Sequence, residues 1–272
     1  MRKSLMVLVA AAFALAFATG PVAADWTPAD DYKMQFPQLP DEDGWDVKSS
    51  GNCRVADDFQ CAETGCIKDI YFWGSWRADL EQEPAGIFQF RIYSNDPGPP
   101  SKPDNLLWWY EVRADDPNVT IVFIGPNIQG WFDPCDDWFA VYDHAAYYQY
   151  NVILPEPRWF CQDEGVVYWL EIYRADVPFW GWKTADVLTY PLPYTGFHFM
   201  DDAVYDSSGV WVPLEDPILP EVSLDMAFVL TGDPVPPQVP TLSQWGLMLL
   251  VLLLAVAGAV ALIRRRAVAR AA

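Results

Sequence analysis

Alternation of apolar and other residues, interrupted at short intervals by proline and glycine, is the feature that most constrains how this chain can fold. A period of two residues places one face of a strand inward and the other outward. The 24 prolines and 16 glycines would break helices repeatedly but suit short strands joined by loops. We therefore predict an all-β fold, an antiparallel β-sandwich in jelly-roll or another Greek-key order. The alternating segments are 67–76, 88–92, 106–112, 119–124, 148–154, 168–172 and 222–230.

Both ends of the chain are too uniformly apolar to belong to a soluble core. Two basic residues precede the apolar run 5–17 and small residues follow it, which predicts a signal peptide over residues 1–24, cleaved by signal peptidase after Ala24. Residues 246–263 are apolar or small throughout and are followed by an arginine cluster. This pattern predicts a single transmembrane helix with the arginines on the cytoplasmic side. The two ends together predict an exported protein.

The region between these ends is long enough for one β-domain, which we place at residues 53–232. Residues 25–52 are acidic and contain several prolines, and we predict that they form a loosely attached leader. Residues 233–238 are rich in proline and are expected to form an extended spacer. The sorting tail then occupies residues 239–272.

The charge of the chain is strongly negative. Its formal net charge is −20, and every acidic residue lies between the two apolar ends. Such a surface repels nucleic acid and anionic lipid headgroups, so nucleic acid is not a predicted partner. It is compatible with cations or neutral polymers as ligands, and equally with simple solubility of an exported protein.

Five cysteines enter an oxidising compartment after export, so disulfides are expected. An odd number leaves one cysteine over, unless it pairs between chains. The sequence does not choose among the possible pairings. The candidates are Cys53, Cys61, Cys66, Cys135 and Cys161.

Acidic residues recur in loops, and carboxylates in loops are ligands that calcium prefers. The densest group is Asp133, Asp136 and Asp137, which we take as the candidate calcium site. The group has no EF-hand spacing, and the alternative is a set of turn caps and solvated charges. No other cofactor is predicted.

The chain has 14 tryptophans and 13 tyrosines, and exposed aromatic rings on a β-sandwich can stack on sugar faces. Carbohydrate binding, with extracellular polysaccharide as partner, is therefore a hypothesis. Alternation predicts that at least one tryptophan of each close pair points outward, whereas packing in the core is the competing explanation. The pairs are Trp73 and Trp76, Trp108 and Trp109, and Trp180 and Trp182.

Catalytic motifs are missing from the sequence. We find no GxSxG turn, no HExxH helix, no phosphate-binding loop and no cysteine with an evident histidine partner. We therefore predict a protein that is not an enzyme and name no catalytic residue. A glycoside-active enzyme remains an alternative, because two carboxylates suffice for that chemistry.

The segment Val239–Gly246, followed by an apolar helix and an arginine cluster, resembles the IPTL-CTERM sorting signal of Gram-negative bacteria. The resemblance implies recognition by an exosortase-type processing enzyme. It also implies a precursor anchored in the inner membrane that is cut near the motif and passed to the cell surface or the medium. The implied recognition positions are Pro240, Thr241, Leu242, Trp245 and Gly246, and the implied stop-transfer anchor is Arg264, Arg265 and Arg266.

The middle of the chain resembles an uncharacterised family of exported bacterial β-domains, over about residues 57–232. The motifs that carry the resemblance include Asp57-Asp58-Phe59, Phe72-Trp73-Gly74-Ser75-Trp76 and Gly181-Trp182-Lys183-Thr184. The family brings no activity with it. The sequence therefore predicts a non-catalytic domain at the cell surface or in the envelope, with carbohydrate binding as the alternative.

Overall fold

The computed structural model describes residues 26–80, 82–186, 202–206, 208–220 and 222–232. The predicted signal peptide with Ala24, the spacer, the sorting motif, the transmembrane helix and its arginine cluster lie outside these residues. Within the described ranges, no helical segment has the length and the apolar character of a membrane span. The helical structure found there consists of two short 3₁₀ turns, Arg77–Asp79 and Glu156–Arg158.

The described residues form an all-β fold, as predicted. Its strands in chain order are β1 (Trp45–Lys48), β2 (Val55–Gln60), β3 (Gly65–Trp76), β4 (Ile87–Asp96), β5 (Lys102–Arg113), β6 (Val119–Asp133), β7 (Trp138–Ile153), β8 (Phe160–Gln162), β9 (Val167–Ala175), β10 (Trp180–Lys183), β11 (Val204–Asp206), β12 (Trp211–Pro213) and β13 (Phe228–Gly232).

Two sheets face each other in a sandwich-like arrangement. The larger sheet has the order β10-β1-β6-β7-β3-β13, with β8 paired to β3, and the smaller has the order β12-β11-β2-β9-β4-β5. Among the strands of the described residues, all pairings are antiparallel except that of β1 with β6, which is parallel. That pair departs from the predicted antiparallel sandwich, because β1 inserts between β10 and β6 from a segment that the prediction had left outside the domain.

Aromatic rings join the two sheets in the core. Phe72 on β3 lies 5.2 Å from Phe88 and 5.6 Å from Phe90 on β4, measured between ring centroids. The same ring stacks on Tyr150 of β7 at 5.0 Å. All four residues are buried. Burial of each such ring stabilises the folded state by about 1.5–3 kcal/mol. This burial holds the alternating segments of the two sheets together.

Five strands of the larger sheet close into a hydrogen-bonded ring, because β10 pairs with β3 as well as with β1. The ring runs β3-β7-β6-β1-β10 and back to β3. Closure brings β3 and β10 so near that a Cβ at Gly74 would lie 2.5 Å from the carbonyl oxygen of Gly181. Only glycine fits at Gly74, so this residue permits the ring to close.

The prediction of a loosely attached leader over residues 25–52 is wrong in the structure. Residues 45–48 form a strand inside the larger sheet, and Met34 and Val47 are buried. The Lys33 amide also donates to the Leu230 carbonyl at 2.9 Å. The sequence of β1 is WDVK. The sequence pattern did not predict this strand, because its two charged residues are buried with partners instead of facing solvent.

Two disulfides form among the five cysteines, Cys53–Cys135 and Cys66–Cys161. The second joins directly paired residues of β3 and β8. Cys61 is the cysteine left over and is buried. Burial raises the pKa of the Cys61 thiol to about 12, and a protonated, buried thiol is a poor nucleophile.

Candidate functional site

A groove of about 510 Å³ opens beside the β6–β7 pair. One wall is the alternating face of β6, and the other comes from the loop before β4 and the turn between β5 and β6. Alternation places Val119, Ile121 and Phe123 on the same side of the strand. The lining residues are Glu83, Pro84, Ala114, Asp115, Asp116, Val119, Ile121, Phe123 and Tyr148.

The groove combines an exposed ring face with carboxylates. Phe123 is 54% exposed although it is a large apolar side chain, and its ring packs against Tyr148 at 5.7 Å between centroids. Asp115 pairs with Arg113 at 2.7 Å, and Glu83 pairs with Arg174 at 2.5 Å. Among the described residues, Asp116 makes no ion pair. Its Oδ1 accepts hydrogen bonds from the backbone and side-chain nitrogens of Asn118, each at 2.9 Å.

Most of the tryptophans that could have formed a sugar-binding surface are in the interior. Trp180 and Trp182 are both buried, because residues two apart on a strand share a face, and here that face is the core. Trp73 and Trp76 lie on different sides of β3 but are also buried, each against a hydrophobic cluster. Of the three pairs, only the adjacent one behaves as predicted: Trp109 is 55% exposed while Trp108 packs on the core.

Two of the three predicted calcium ligands contact a lysine. The Lys48 ammonium lies 2.6 Å from Asp133 Oδ2 and 3.5 Å from Asp136 Oδ2, and the Asp136 amide donates to Asp133 Oδ1 at 3.3 Å. Asp137 occupies a left-handed turn position with φ 49°. The nearby Cys53 and Cys135 sulfurs are joined in a disulfide. Calcium at this turn stays a prediction, and the ion would have to compete with Lys48.

A second acidic group, which the prediction did not single out, is buried between β2 and the segment before β13. Asp57 Oδ2 accepts hydrogen bonds from the Met226 amide at 2.6 Å and from Gln38 Nε2 at 2.8 Å. Burial raises the pKa of Asp57 to about 8, although these hydrogen bonds oppose the shift. Burial, and then the charges of Asp57 and Asp202, raise the pKa of Asp225 well above its usual range. Protonation of this group is therefore coupled to folding.

Buried polar side chains fill the inside of the five-strand ring. We call Asp46, Ser75, Gln129, His144 and Lys183 the ring cluster; all five are buried. His144 Nε2 lies 2.8 Å from Ser75 Oγ and 3.0 Å from Asp46 Oδ2. Lys183 Nζ donates to Gln129 Oε1 and lies 3.5 Å from Asp46 Oδ2. The contacts of His144 with Asp46 and of Lys183 with Gln129 join strands that are not neighbours, which places the side chains inside the ring.

The ring cluster differs from a hydrolase triad in two respects. Asp143 Oδ2 lies 3.3 Å from Nδ1 of His144, where a triad places its carboxylate, but a second carboxylate, that of Asp46, shares Nε2 with Ser75. The Ser75 side chain is also fully buried, and it does not line the groove. The cluster is therefore out of reach of a ligand bound in the groove.

The fold and these sites define a disulfide-containing β-sandwich domain followed by a sorting tail. Residues 34–231 match the family described as Domain of unknown function (DUF7901), and residues 237–267 match the IPTL-CTERM motif. The chain belongs to the DUF7901 family, and its tail carries the sorting motif that the sequence predicts. Comparison with curated proteins and with solved structures gave no match. The IPTL-CTERM motif implies processing by an exosortase-type enzyme.

Proposed function

We propose that this protein is a non-catalytic envelope domain, delivered to the cell surface through its C-terminal sorting tail. The observation that carries the proposal is the IPTL-CTERM motif at residues 237–267, which directly follows the family domain at residues 34–231. The two disulfides support export, because such bonds persist in oxidising compartments. The precursor first spans the inner membrane with its C-terminus inside, and cleavage near Val239–Gly246 then releases the domain.

Replacement of both Trp245 and Gly246 with alanine tests the sorting step. Alanine is nearly neutral in a bilayer, so the apolar helix should still insert while the recognised positions are lost. We expect an uncleaved precursor to accumulate in the membrane fraction. Epitope tags on both sides of residue 245, followed by immunoblotting in a strain with an active exosortase, measure this.

A matched control replaces Leu250 with alanine, which changes the apolar helix but none of the implied recognition positions. This variant should be processed like the parent. The two tags should separate in the parent and in the control, and stay on one polypeptide in the motif variant. If both tags stay together in the parent as well, the tail is a permanent anchor and the proposal is wrong.

The groove favours carbohydrate as a second candidate function. An exposed ring such as Phe123 offers a stacking surface for a sugar face, and the Asp116 carboxylate can accept hydrogen bonds from sugar hydroxyls. A neutral sugar is compatible with an acidic protein, whereas an anionic ligand would be repelled.

Replacing Phe123 with alanine should weaken the binding of any glycan that occupies this groove by about tenfold, which corresponds to about 1.4 kcal/mol. A glycan array identifies the ligand, and calorimetric titration measures the loss. Ile128→Ala is the matched control, since Ile128 is exposed on the same strand but outside the groove. Equal affinities for the two variants would exclude the groove, and hydrolysis of a polysaccharide by the parent would favour the glycoside-active alternative.

A further inference from the structure

Two residues of opposite charge face each other inside the ring. Asp46 on β1 and Lys183 on β10 are direct partners in the antiparallel register, and both side chains are fully buried. Their Nζ and Oδ2 atoms are 3.5 Å apart. Because the backbone pairing of the two strands fixes both ends, the amine and the carboxylate are held together throughout the life of the folded protein.

One oxygen of the deeply buried Asp46 carboxylate is left unsatisfied within the part of the chain that the structure describes. Its Oδ2 contacts His144 and Lys183, but its Oδ1 has no hydrogen-bond partner among the described residues. Taking an amine and a carboxylate out of water is expensive, and an unsatisfied oxygen adds to that penalty. A reaction that converts the two charged groups into one neutral group would remove most of this desolvation penalty.

The nearby groups can move the proton that such a reaction needs. Burial lowers the pKa of Lys183 and outweighs the opposing effect of Asp46, so that the neutral, nucleophilic form of the amine is easier to reach than in water. Burial acts to lower the pKa of His144, but the hydrogen bond and charge of Asp46 raise it overall. Burial acts to raise the pKa of Asp46, but Lys183 and His144 lower it overall. His144 Nε2 stands 3.0 Å from Asp46 Oδ2, within hydrogen-bond distance for the transfer of a proton.

The surroundings exclude water and orient the amine. Trp131 is fully buried and lies 6.1 Å from the His144 ring, between centroids, and Lys183 Nζ lies 5.4 Å from the centroid of Tyr147. Gln129 accepts one hydrogen of the amine. The other charged groups that act on this site are Asp41 and Asp43, which raise the pKa of Lys183, and Asp143, which raises that of His144.

We propose that Lys183 and Asp46 join in an intramolecular amide bond between the side chains of β1 and β10. The Lys183 ammonium passes one proton through His144 to the Asp46 carboxylate, and the lone pair of the resulting amine attacks Cγ. The C–N bond forms, one C–O bond breaks, and the leaving oxygen departs as water with a proton that His144 relays from the attacking nitrogen. In balance, one ammonium and one carboxylate become one amide and one water, and no oxidant or other reactant is consumed.

The bond would close a covalent loop over residues 46–183 that reducing agents cannot open. This loop contains Cys53–Cys135 and Cys66–Cys161, so all three cross-links would lie within the same part of the domain. Cross-links stabilise mainly by restricting the unfolded chain. Such a bond would keep the ring closed outside the cell, where the protein cannot be refolded by cytoplasmic chaperones.

Peptide mapping of the full-length protein, reduced, denatured and digested with trypsin, tests the proposal. Cleavage after Lys33 and Lys48 releases peptide 34–48, and cleavage after Arg174 and Lys183 releases peptide 175–183. We expect both peptides to be absent. A branched product should take their place, with a mass lower by one water than the sum of its two linear parts and with no cleavage after Lys183.

The Lys183→Met variant is the control, because methionine keeps most of the side-chain volume but has no amine. Peptide 34–48 should then appear in full. His144→Gln should form the bond more slowly, so that peptide 34–48 is present soon after synthesis and disappears with time. Recovery of peptides 34–48 and 175–183 in normal yield from the natively folded parent would overturn the proposal and leave an ordinary buried ion pair. The parent's map decides this even if a variant fails to fold.

Discussion

Replacing Arg174 with methionine should lower the free energy of unfolding by about 3–5 kcal/mol, because it leaves a buried carboxylate without its counterion. The Arg174 guanidinium is fully buried and pairs with Glu83 at 2.5 Å, and its Nε donates to the Ala85 carbonyl at 2.9 Å. It also lies over the Phe88 ring, 4.4 Å from the centroid. Glu83 in turn accepts hydrogen bonds from the Tyr150 hydroxyl and from Trp76 Nε1.

Urea denaturation of the purified mature protein, followed by tryptophan fluorescence with the disulfides intact, measures this loss. Arg113→Met is the matched control, since it removes an exposed ion pair with Asp115. Exposed pairs contribute at most about 1 kcal/mol. Equal losses in the two variants would show that Arg174 and Glu83 do not form the buried pair described above.

The second large effect is a pH dependence that should disappear in the Asp57→Asn variant. Burial raises the pKa of Asp57 from 3.8 to about 8 in the folded protein. The folded state therefore binds more protons than the unfolded state between these values, and the stability falls as the pH rises. Over the range pH 5 to 7, we expect the parent to lose about 1–3 kcal/mol relative to the variant.

Urea denaturation at several pH values compares the slopes of the two proteins. The absolute stability of Asp57→Asn can also change, because the carboxamide cannot reproduce every hydrogen bond, so the slope is the informative quantity. Asp115→Asn is the control: Asp115 is exposed, and the Arg113 side chain lowers its pKa. Parallel curves for the parent and for Asp57→Asn would contradict the buried, protonated state of Asp57.

The sheets could be predicted from the sequence where alternation separates apolar from polar residues. Two short strands with buried charges, β1 and β2, escaped prediction. β2 reads VADDFQ, and both its aspartates are buried; β1 contains Asp46 and Lys48, which are buried as well. Pattern reading assumes that charged residues face solvent, and this assumption fails where each charge finds a partner from a distant strand.

The candidate sites were harder to predict, because they depend on which strands pair and on the register of each pair. The groove unites residues near 83, 115 and 121, and only the shared face of Val119, Ile121 and Phe123 gave any signal in the sequence. Asp46 and Lys183 are 137 residues apart, and nothing local shows that β1 and β10 pair. The sorting tail was recognisable for the opposite reason, since its motif is continuous in the chain.

Sequencing the C-terminal peptide of the protein released from the cell surface tests the central proposal most directly. Delivery by the sorting tail predicts a C-terminus near Val239–Gly246 and the loss of the helix 246–263 and of Arg264–Arg266. The same sample should begin at Asp25. A surface form that ends at Ala272, with the apolar helix still attached, would contradict the proposed delivery.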